Sequence, residues 1–395
     1  MKILFLTAEP PWPPDQGDKL RNYHLLKALA AEDEVTLVSF TMQQDNSTWK
    51  KELAPYYSTV YTIPLTRRRM ILNTLFLPHL PVTMAARTSS RMAKLLRELT
   101  NHGKFDIAFA CQLKTAGYLK HCTCSKVADL TDVVSLYRRR MLPYTSRLEK
   151  LVSIVEVYRL AYWEKKVAQA ADLTLLVSPL DAAVLRKMAP KACIDVIPNA
   201  VDLNYFKPLP DQGQPVIVFY GHLRYPPNAD GIKWFCTEIF PKIREEIPNA
   251  ELHIIGKEPP AELVQYSNHS GITLTGYVPD IRPFLAQASV VVTPIRFGAG
   301  IRNKVLEAFA VKRPVVSTSL GCEGLSVEPG IHLEVADTPS IFAEAVIRLL
   351  RDPTRRSSLA ENSRHLVKEK YEWNVIGKKL RTLLLEIRAC SSIAN

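Results

Sequence analysis

The sequence has few cysteines and no long apolar run, and these absences exclude several classes of protein. No stretch reaches the roughly 20 consecutive apolar residues that a transmembrane helix needs. The seven cysteines are scattered, and Cys122 and Cys124 form only a CxC pair without a second pair at metal-binding spacing. We therefore expect reduced thiols in a cytosolic protein rather than a disulfide framework or a zinc site.

Several motifs that would define other functions are also missing. No GxGxxG sequence follows a strand, which argues against a NAD-binding Rossmann domain. No aspartate-rich DxD motif stands at a strand end in a suitable context, so we expect no cofactor and no metal. The sequence indicates neither the paired acids of a glycoside hydrolase nor the aromatic and basic motif of a nucleic-acid-binding protein.

The chain is basic, and most of its positive charge lies in the N-terminal half. The formal net charge is +12, and residues 1–195 hold 28 Lys and Arg against 18 Asp and Glu, which is +10. Basic clusters occur at 67–69, 87–97 and 138–140. Such clusters suit anionic lipid, nucleic acid or an ordinary solvated face. We expect a cytoplasmic protein that can associate with the inner face of the cytoplasmic membrane.

Strand and helix patterns alternate along the chain of 395 residues, which is too long for one ordinary core. Short apolar runs typical of buried parallel strands form two successive sets. The first set is 3–7, 35–40, 107–110, 173–177 and 194–197, and the second is 216–220, 251–255, 272–275, 289–293 and 314–318. This order predicts an α/β protein with two Rossmann-like, doubly wound domains that face a central cleft.

The predicted boundary lies where prolines and asparagines interrupt the pattern, at 196–208. We expect an N-terminal domain over 1–200 and a C-terminal domain over 201–371. The last helix, about 372–395, is a candidate to pack back on the first domain. No signal peptide is expected, because Glu9 and two prolines directly follow the short first apolar run.

Glycines follow several strands of the second set, where ligands of such sheets bind. Gly221, Gly256 and Gly276 each open the loop at a predicted strand end. Arg224 stands in the first of these loops, and its guanidinium could bind phosphate or simply be exposed. Each signal is weak alone, but together they favour a ligand site along this edge.

The most informative segment is 294–317, which reads PIRFGAGIRNKVLEAFAVKRPVVS. Gly298 and Gly300 free the backbone, and Arg302 and Lys304 can neutralise a diphosphate at a helix N-terminus. Glu307 lies three residues after Lys304, so both occupy one helix face. The alternative is a surface ion pair, but the apolar neighbours predict a buried helix on which a carboxylate needs a partner.

Two places in the first domain are candidates for contact with a second substrate. Gly17 precedes a predicted helix N-terminus after a proline-rich loop, although Gly17 could also be a turn residue with Asp18 as helix cap. Asp129 and Asp132 follow a short strand, and their alternative is also a helix cap.

With these residues in view, the chain resembles the retaining glycosyltransferases of family 4, which have the GT-B fold. The resemblance covers the whole chain and is most specific over 216–318, in GHLRYPPNADGIKWF, IIGKEP, TGYVPDIRPFLAQASVVVTP and GAGIRNKVLEAFAVKRPVV, with VIPNAVD before it. It looks nearest to sugar transferases of bacterial exopolysaccharide systems. The resemblance implies a nucleotide-sugar donor in the C-terminal domain and a glycan or lipid-linked acceptor in the N-terminal domain.

The resemblance also implies roles for individual residues. Glu307 would bind the ribose, Arg302 and Lys304 the diphosphate, and Gly17 and Asp132 would lie on the acceptor side. Arg224, Arg302, Lys304 and Glu307 are the predicted catalytic residues, and the predicted donor-binding residues are Gly221, Gly256, Tyr277, Val278, Gly298, Ala299, Gly300 and Ile301.

Two positions depart from the family pattern. Many members carry two glutamates eight positions apart, and Ala299 stands here at the first position. Many also carry a lysine after the arginine in the loop of the first C-terminal strand, whereas 226–228 is Pro-Pro-Asn.

We expect transfer of a sugar with retention of configuration and without a metal. The alternatives are a nucleotide-sugar epimerase of the same fold and a non-catalytic partner that binds nucleotide-sugar or glycan.

Overall fold

The computed structural model describes residues 1–42, 48–101, 104–298 and 300–394, with only the backbone at 148 and 391–394. The chain forms two compact units. The first contains Met1–Asn199 and Trp373–Asn395, and the second contains Ala200–Glu372. Each unit is built on its own parallel sheet with helices around it.

The strands and helices follow each other in the alternating order that parallel sheets require. The strands are β1 (Lys2–Thr7), β2 (Glu34–Met42), β3 (Thr59–Leu65), β4 (Ile107–Cys111), β5 (Ser125–Thr131), β6 (Leu173–Leu176), β7 (Ile194–Val196), β8 (Val216–Tyr220), β9 (Glu251–Ile255), β10 (Ile272–Gly276), β11 (Val290–Thr293), β12 (Val315–Ser317) and β13 (Glu334–Val335). The helices are α1 (Gly17–Ala30), α2 (Thr48–Leu53), α3 (Arg67–Phe76), α4 (Val82–Ala86), α5 (Ser90–Thr100), α6 (Leu113–Ala116), α7 (Val134–Met141), α8 (Arg147–Ala170), α9 (Pro179–Met188), α10 (Pro226–Trp234), α11 (Phe240–Glu246), α12 (Ala261–Val264), α13 (Arg282–Gln287), α14 (Asn303–Ala310), α15 (Pro339–Arg351), α16 (Pro353–Lys370) and α17 (Trp373–Ala394).

The strand order of both sheets is that of doubly wound folds. The first sheet runs β3-β2-β1-β4-β5-β6-β7 and the second runs β10-β9-β8-β11-β12-β13, with all pairs parallel. In each, the order reverses beside the first strand of the unit, β1 or β8. The central strands are apolar and buried throughout, as expected for strands covered on both faces. The predicted fold of two Rossmann-like parallel-sheet domains is confirmed.

The first unit is completed by the last helix of the chain, α17. The ring of His24 on α1 stacks on Trp373 with centroids 4.6 Å apart. A Cβ added to Gly377 would lie 2.9 Å from the Cβ of Ala28, so the two helices approach closely at this glycine. Arg381 pairs with Glu32 at 2.7 Å. His24 thus has a packing role.

A buried ion pair holds α1 to the middle of the first sheet. The Arg21 guanidinium donates from Nε and Nη2 to the two carboxylate oxygens of Asp129, at 2.8 Å each. The same guanidinium donates to Asn199 at 3.1 Å. Both charged side chains are buried, with 1% and 0% exposure. The suggestion that Asp129 contacts an acceptor or caps a helix is therefore wrong, because the carboxylate is enclosed within β5 and committed to Arg21.

Candidate functional site

The carboxyl ends of β8, β9 and β11 bring the predicted donor loops together in the second unit. β8 is central and pairs with both β9 and β11, so the loops that begin at Gly221, Gly256 and Pro294 leave one edge of the sheet side by side. The backbone of Gly221 donates to the carbonyl of Ile255 at 3.0 Å, and Gly256 donates to Gly276 at 2.9 Å. This edge is where parallel sheets bind ligands.

Two glycines allow the close approach of these loops. An added Cβ at Gly256 would collide with the carbonyl oxygen of Gly221. Gly298 has φ +133°, which side chains rarely adopt, and a Cβ there would lie 2.5 Å from the Arg302 guanidinium. Backbone packing therefore requires glycine at 256, whereas at 298 it is the positive φ that favours glycine.

Lys304 lies in the first turn of α14 and turns toward the β8 loop. Its Nζ donates to the side-chain oxygen of Asn228 at 2.9 Å and lies 4.2 Å from the ring centroid of Phe219. A Cβ on Gly221 would be only 3.0 Å from this amine. Lys304 thus places an amine beside the loop where the family pattern has a lysine and this chain has none.

The surroundings of Lys304 disfavour its charged form. Burial is the main cause that lowers the pKa of Lys304 to about 7; the Arg302 charge lowers it further, and the Glu307 carboxylate opposes both. An amine with a pKa near neutrality can gain a proton when an anion arrives. Such perturbed groups at a ligand-binding edge are typical of functional sites.

Glu307 lies one turn further along α14, on the same face as Lys304. Burial raises the pKa of its carboxyl group, while a hydrogen bond with Tyr220 and the charge of Lys304 act in the opposite direction. The Tyr220 hydroxyl donates to the backbone oxygen of Lys304 at 2.8 Å, and burial followed by the Glu307 charge raises its pKa. Lys304, Glu307, Tyr220 and Asn228 form one cluster, which we call the α14 cluster.

Arg224 and Arg302 occupy different places around the α14 cluster. Arg302 is the cap residue before α14 and acts on the charge state of Lys304. Arg224 is 78% exposed, and its guanidinium lies 3.7 Å from Glu258 in the loop after β9. Glu258 also lies 3.6 Å from His222. In this structure Arg224 therefore faces Glu258 across neighbouring loops and has no described bond to Lys304 or Glu307.

The remaining predicted donor residues lie at the same edge of the sheet. Tyr277 is 66% exposed and Val278 is half-buried just after β10. Ile301 is buried, and Gly300 has φ +79°. Ala299 lies outside the described residues.

The predicted acceptor-side residues are in the first unit. Gly17 is the exposed first residue of α1, and Gln16 before it is the helix cap. Asp18 is therefore not the cap. Its carboxylate accepts from Gln112 at 3.1 Å and from Lys114 at 3.4 Å. Asp132 is half-buried between β5 and α7.

Burial tends to raise the pKa of Asp18, but the Lys114 charge and hydrogen bonds, mainly from Gln112, bring the pKa below its usual value.

Within the described ranges, no group of three or more His, Cys, Asp and Glu side chains is arranged to hold a metal ion.

Sequence reasoning missed Tyr220 and Asn228, the two partners that hold the charged groups of α14. Tyr220 ends an apolar strand and looked like one more core residue. Asn228 was noted only as part of 226–228, where the family's lysine is missing, yet it stands in α10 and also donates to the carbonyl of His222 at 2.9 Å. A polar residue at the carboxyl end of a buried strand was the only available signal, and it pointed to Tyr220.

Comparison with known proteins agrees with this geometry. Residues 214–352 match the family described as "Glycosyl transferases group 1". An uncharacterised 44.6 kDa protein in the cps region of Klebsiella pneumoniae is 23% identical over 389 residues, covering 94% of this chain and 96% of that protein. A GDP-mannose-dependent alpha-(1-6)-phosphatidylinositol monomannoside mannosyltransferase of Mycolicibacterium smegmatis is 26% identical over 273 residues, covering 62% of this chain and 70% of the enzyme.

Two solved structures share the fold over nearly the whole chain. Sucrose-phosphate synthase from Thermosynechococcus elongatus superposes with a TM-score of 0.73 at 18% identity, covering 99% of this chain and 100% of that one. HepE of Anabaena, solved in complex with UDP and glucose, gives a TM-score of 0.67 at 16% identity, covering 98% and 100%.

The fold and the family match together define the class of this protein. The second unit carries a group 1 glycosyltransferase domain, and the chain is a glycosyltransferase with the GT-B fold. The resemblance is confirmed at this level. Membership of family 4 stays a prediction.

Proposed function

We propose that this protein transfers a sugar from a nucleoside-diphosphate sugar to a glycan or lipid-linked acceptor, with retention of configuration and without a metal. The observation that carries the proposal is the α14 cluster, which places an amine and a carboxylate one turn apart at the carboxyl edge of the second sheet. A diphosphate needs cations, and a ribose needs a hydrogen-bond acceptor for its hydroxyl groups. Lys304 and Glu307 supply these two requirements at a spacing suited to a nucleotide.

The main catalytic task in such a transfer is to stabilise charge on the departing diphosphate. Lys304 and Arg302 lie at the start of α14, where the unpaired backbone N–H groups of the helix also favour an anion. Arg224 is 78% exposed, and in this proposal its guanidinium leaves Glu258 and binds a phosphate. We assign these three cations to the diphosphate and Glu307 to the ribose. The donor-binding glycines and Tyr277, Val278 and Ile301 would shape the surrounding wall.

The acceptor is assigned to the first unit, with Gly17 and Asp132 at its acceptor side. A relative in a cps region, a mannosyltransferase that uses a phosphatidylinositol mannoside and a neighbour bound to UDP support a role in polysaccharide or glycolipid synthesis. The basic N-terminal half would bring the enzyme to an anionic surface at the inner face of the cytoplasmic membrane.

The decisive experiment measures nucleotide release from UDP-, GDP- and ADP-sugars with and without acceptor lipids. We expect release that depends on an acceptor and that Glu307→Ala abolishes, while Glu258→Ala in the adjacent loop keeps measurable activity. Full activity of Glu307→Ala would refute the site assignment. An isomerised sugar formed without acceptor would identify an epimerase, and donor binding without turnover over an acceptor panel would identify a non-catalytic partner.

A further inference from the structure

Helix α8 of the first unit exposes a regular apolar stripe. Leu151, Val155, Tyr158 and Tyr162 are between 49% and 70% exposed. Their spacings of four, three and four residues place all of them on one face of the helix. The opposite side of α8 is buried, with Leu160 and Val167 in the core of the unit. The exposed stripe is therefore additional to the core-facing side of this helix.

Helix α3 exposes a second apolar face. Its exposed side chains, between 42% and 77% accessible, are Ile71, Leu72, Leu75 and Phe76. The inner side of the helix is fixed by Asn73, whose amide donates to the carbonyl of Thr88 at 2.8 Å. Because Asn73 points inward, the four apolar side chains lie on the outward arc.

Helices α3 and α8 are held near each other, because the segment that joins α3 to α4 is bonded to α8. The indole N–H of Trp163 donates to the carbonyl of His79 at 3.4 Å, and the N–H of Val82 donates to the carboxylate of Glu156 at 2.8 Å. Val82 and Val152 at this junction are themselves 46% and 71% exposed. We call the combined area, 71–76 with 151–162, the α3–α8 surface.

Positive charge predominates around this surface, although Glu149 in the first turn of α8 is also exposed. Arg67, Arg68 and Arg69 are all exposed at the start of α3, a helix that contains no acidic residue. On α8 the exposed basic residues are Arg147, Lys150, Lys165 and Lys166. Apolar and tyrosine side chains beside lysine and arginine are typical of helices that lie in the interface of an anionic bilayer.

An apolar cavity of about 260 Å³ lies behind the surface, within the same unit. Leu80 and Trp163, which belong to the joining segment and to α8, line one part of it, and Met84 and Tyr118 line its wall. Lys114 lines another part, and its amine contacts the Asp18 carboxylate next to Gly17. The cavity therefore extends from Leu80 and Trp163, at the edge of the α3–α8 surface, to Lys114, which contacts Asp18.

We propose that the α3–α8 surface docks the enzyme on a bilayer that contains anionic lipid, with the apolar side chains inserted among the headgroups. The proposal rests on the proposed function in one respect, since a lipid-linked acceptor would lie in that bilayer. A second copy of the chain fits the surface less well, because two faces rimmed by arginine and lysine would repel each other. Exposed apolar area of this kind requires a partner, and the rim of positive charge selects an anionic one.

The test is co-sedimentation of the full-length protein with vesicles of phosphatidylcholine containing about 30% phosphatidylglycerol, compared with pure phosphatidylcholine. We expect strong binding only to the anionic vesicles and weaker binding as salt increases. Leu75→Ser with Phe76→Ser should reduce binding about tenfold or more, because two large apolar groups no longer insert. The matched control is Val264→Ser with Ile341→Ser, two side chains of the second unit that are 46% and 52% exposed, and it should bind as the wild type does.

The charged rim has its own variant pair. Each basic residue near an anionic surface contributes about a fivefold gain in partition, so Arg67→Ser with Arg68→Ser should weaken binding about 25-fold. Lys242→Ser with Lys368→Ser removes the same charge from exposed sites of the second unit and should have a much smaller effect. Equal losses in the two pairs would mean that net charge alone, and not this surface, drives binding, and the proposal would fail.

Two further outcomes separate this proposal from the proposed function. Glu307→Ala should lose nucleotide release and still bind vesicles, whereas the α3 variants should keep the thermal shift with a nucleotide-sugar. Equal binding to neutral and anionic vesicles would overturn the proposal. So would a dimer in solution that Leu75→Ser with Phe76→Ser converts to a monomer, since the surface would then be an interface between copies.

Discussion

The unusual charge state of Lys304 predicts a specific pH dependence of donor binding. With a pKa of about 7 in the empty site, the amine is half protonated at neutral pH and mostly neutral at pH 8. A nucleotide-sugar brings a diphosphate that requires the protonated amine, so binding must draw a proton from solution. Affinity should therefore fall as pH rises through 7, in the direction set by a lysine that must be charged to bind its ligand.

The size of this effect follows from linkage. For one group with a pKa of about 7 that binding returns to its ordinary range, the apparent dissociation constant rises about tenfold between pH 6 and pH 8. Proton uptake should be about 0.5 per donor bound at pH 7 and about 0.9 at pH 8. A nucleotide-sugar is the proper ligand, because the terminal phosphate of a free nucleoside diphosphate ionises near pH 6 and would obscure the result.

Titration calorimetry in buffers of different ionisation enthalpy measures both quantities. Lys304→Met should bind weakly with no pH dependence over this range. Glu307→Gln should move the midpoint to lower pH, because the carboxylate is the group that raises the pKa of Lys304. A wild-type affinity that stays constant from pH 6 to pH 8, without proton uptake, would refute the reasoning.

Three other predictions concern the stability of the two units. Asp129→Asn should lower the free energy of unfolding by about 3–5 kcal/mol in denaturant titrations, because it leaves a buried guanidinium without its carboxylate, while Glu98→Gln in an exposed pair should cost less than about 1 kcal/mol. Gly256→Ala should cost about 1–3 kcal/mol by the same assay, since its methyl group collides with the backbone of Gly221, and a wild-type midpoint would contradict that packing. A chain ending before Trp373 should expose the α1 face that α17 covers, and we expect increased binding of a hydrophobic dye; unchanged dye binding would count against a structural role for α17.

The two predicted sets contain ten of the thirteen described strands, including the edge strands β7 and β10, and they lack β3, β5 and β13. β8 and β11 are continuous apolar runs because both faces of the sheet are covered, so composition alone identified them. β3 is an edge strand, partly exposed and containing Pro64, and its composition does not distinguish it from a loop. β13 has only two residues, too few for any periodicity.

The sequence predicted those parts of the site in which the interacting residues are close together in the chain. The three-residue spacing of Lys304 and Glu307 sufficed to place both on one face of α14. The bond from Lys304 to Asn228 joins residues 76 positions apart, and the bond from Arg21 to Asp129 joins residues 108 apart. Such pairings are decided by tertiary packing, so the sequence offered no means of recognising that Asp129 is structural and Asn228 belongs to the α14 cluster.

The division of the chain into units has a consequence for its biosynthesis. The second unit begins and ends at neighbouring points, since the N–H of Val201 donates to the carbonyl of Tyr371 at 2.8 Å, whereas the first unit needs α17 from the far end of the chain. A ribosome therefore releases every residue of the second unit before it releases the helix that stacks Trp373 on His24. The unit that begins first in synthesis is therefore completed after the second unit, and its α1 face stays uncovered until α17 has been synthesised.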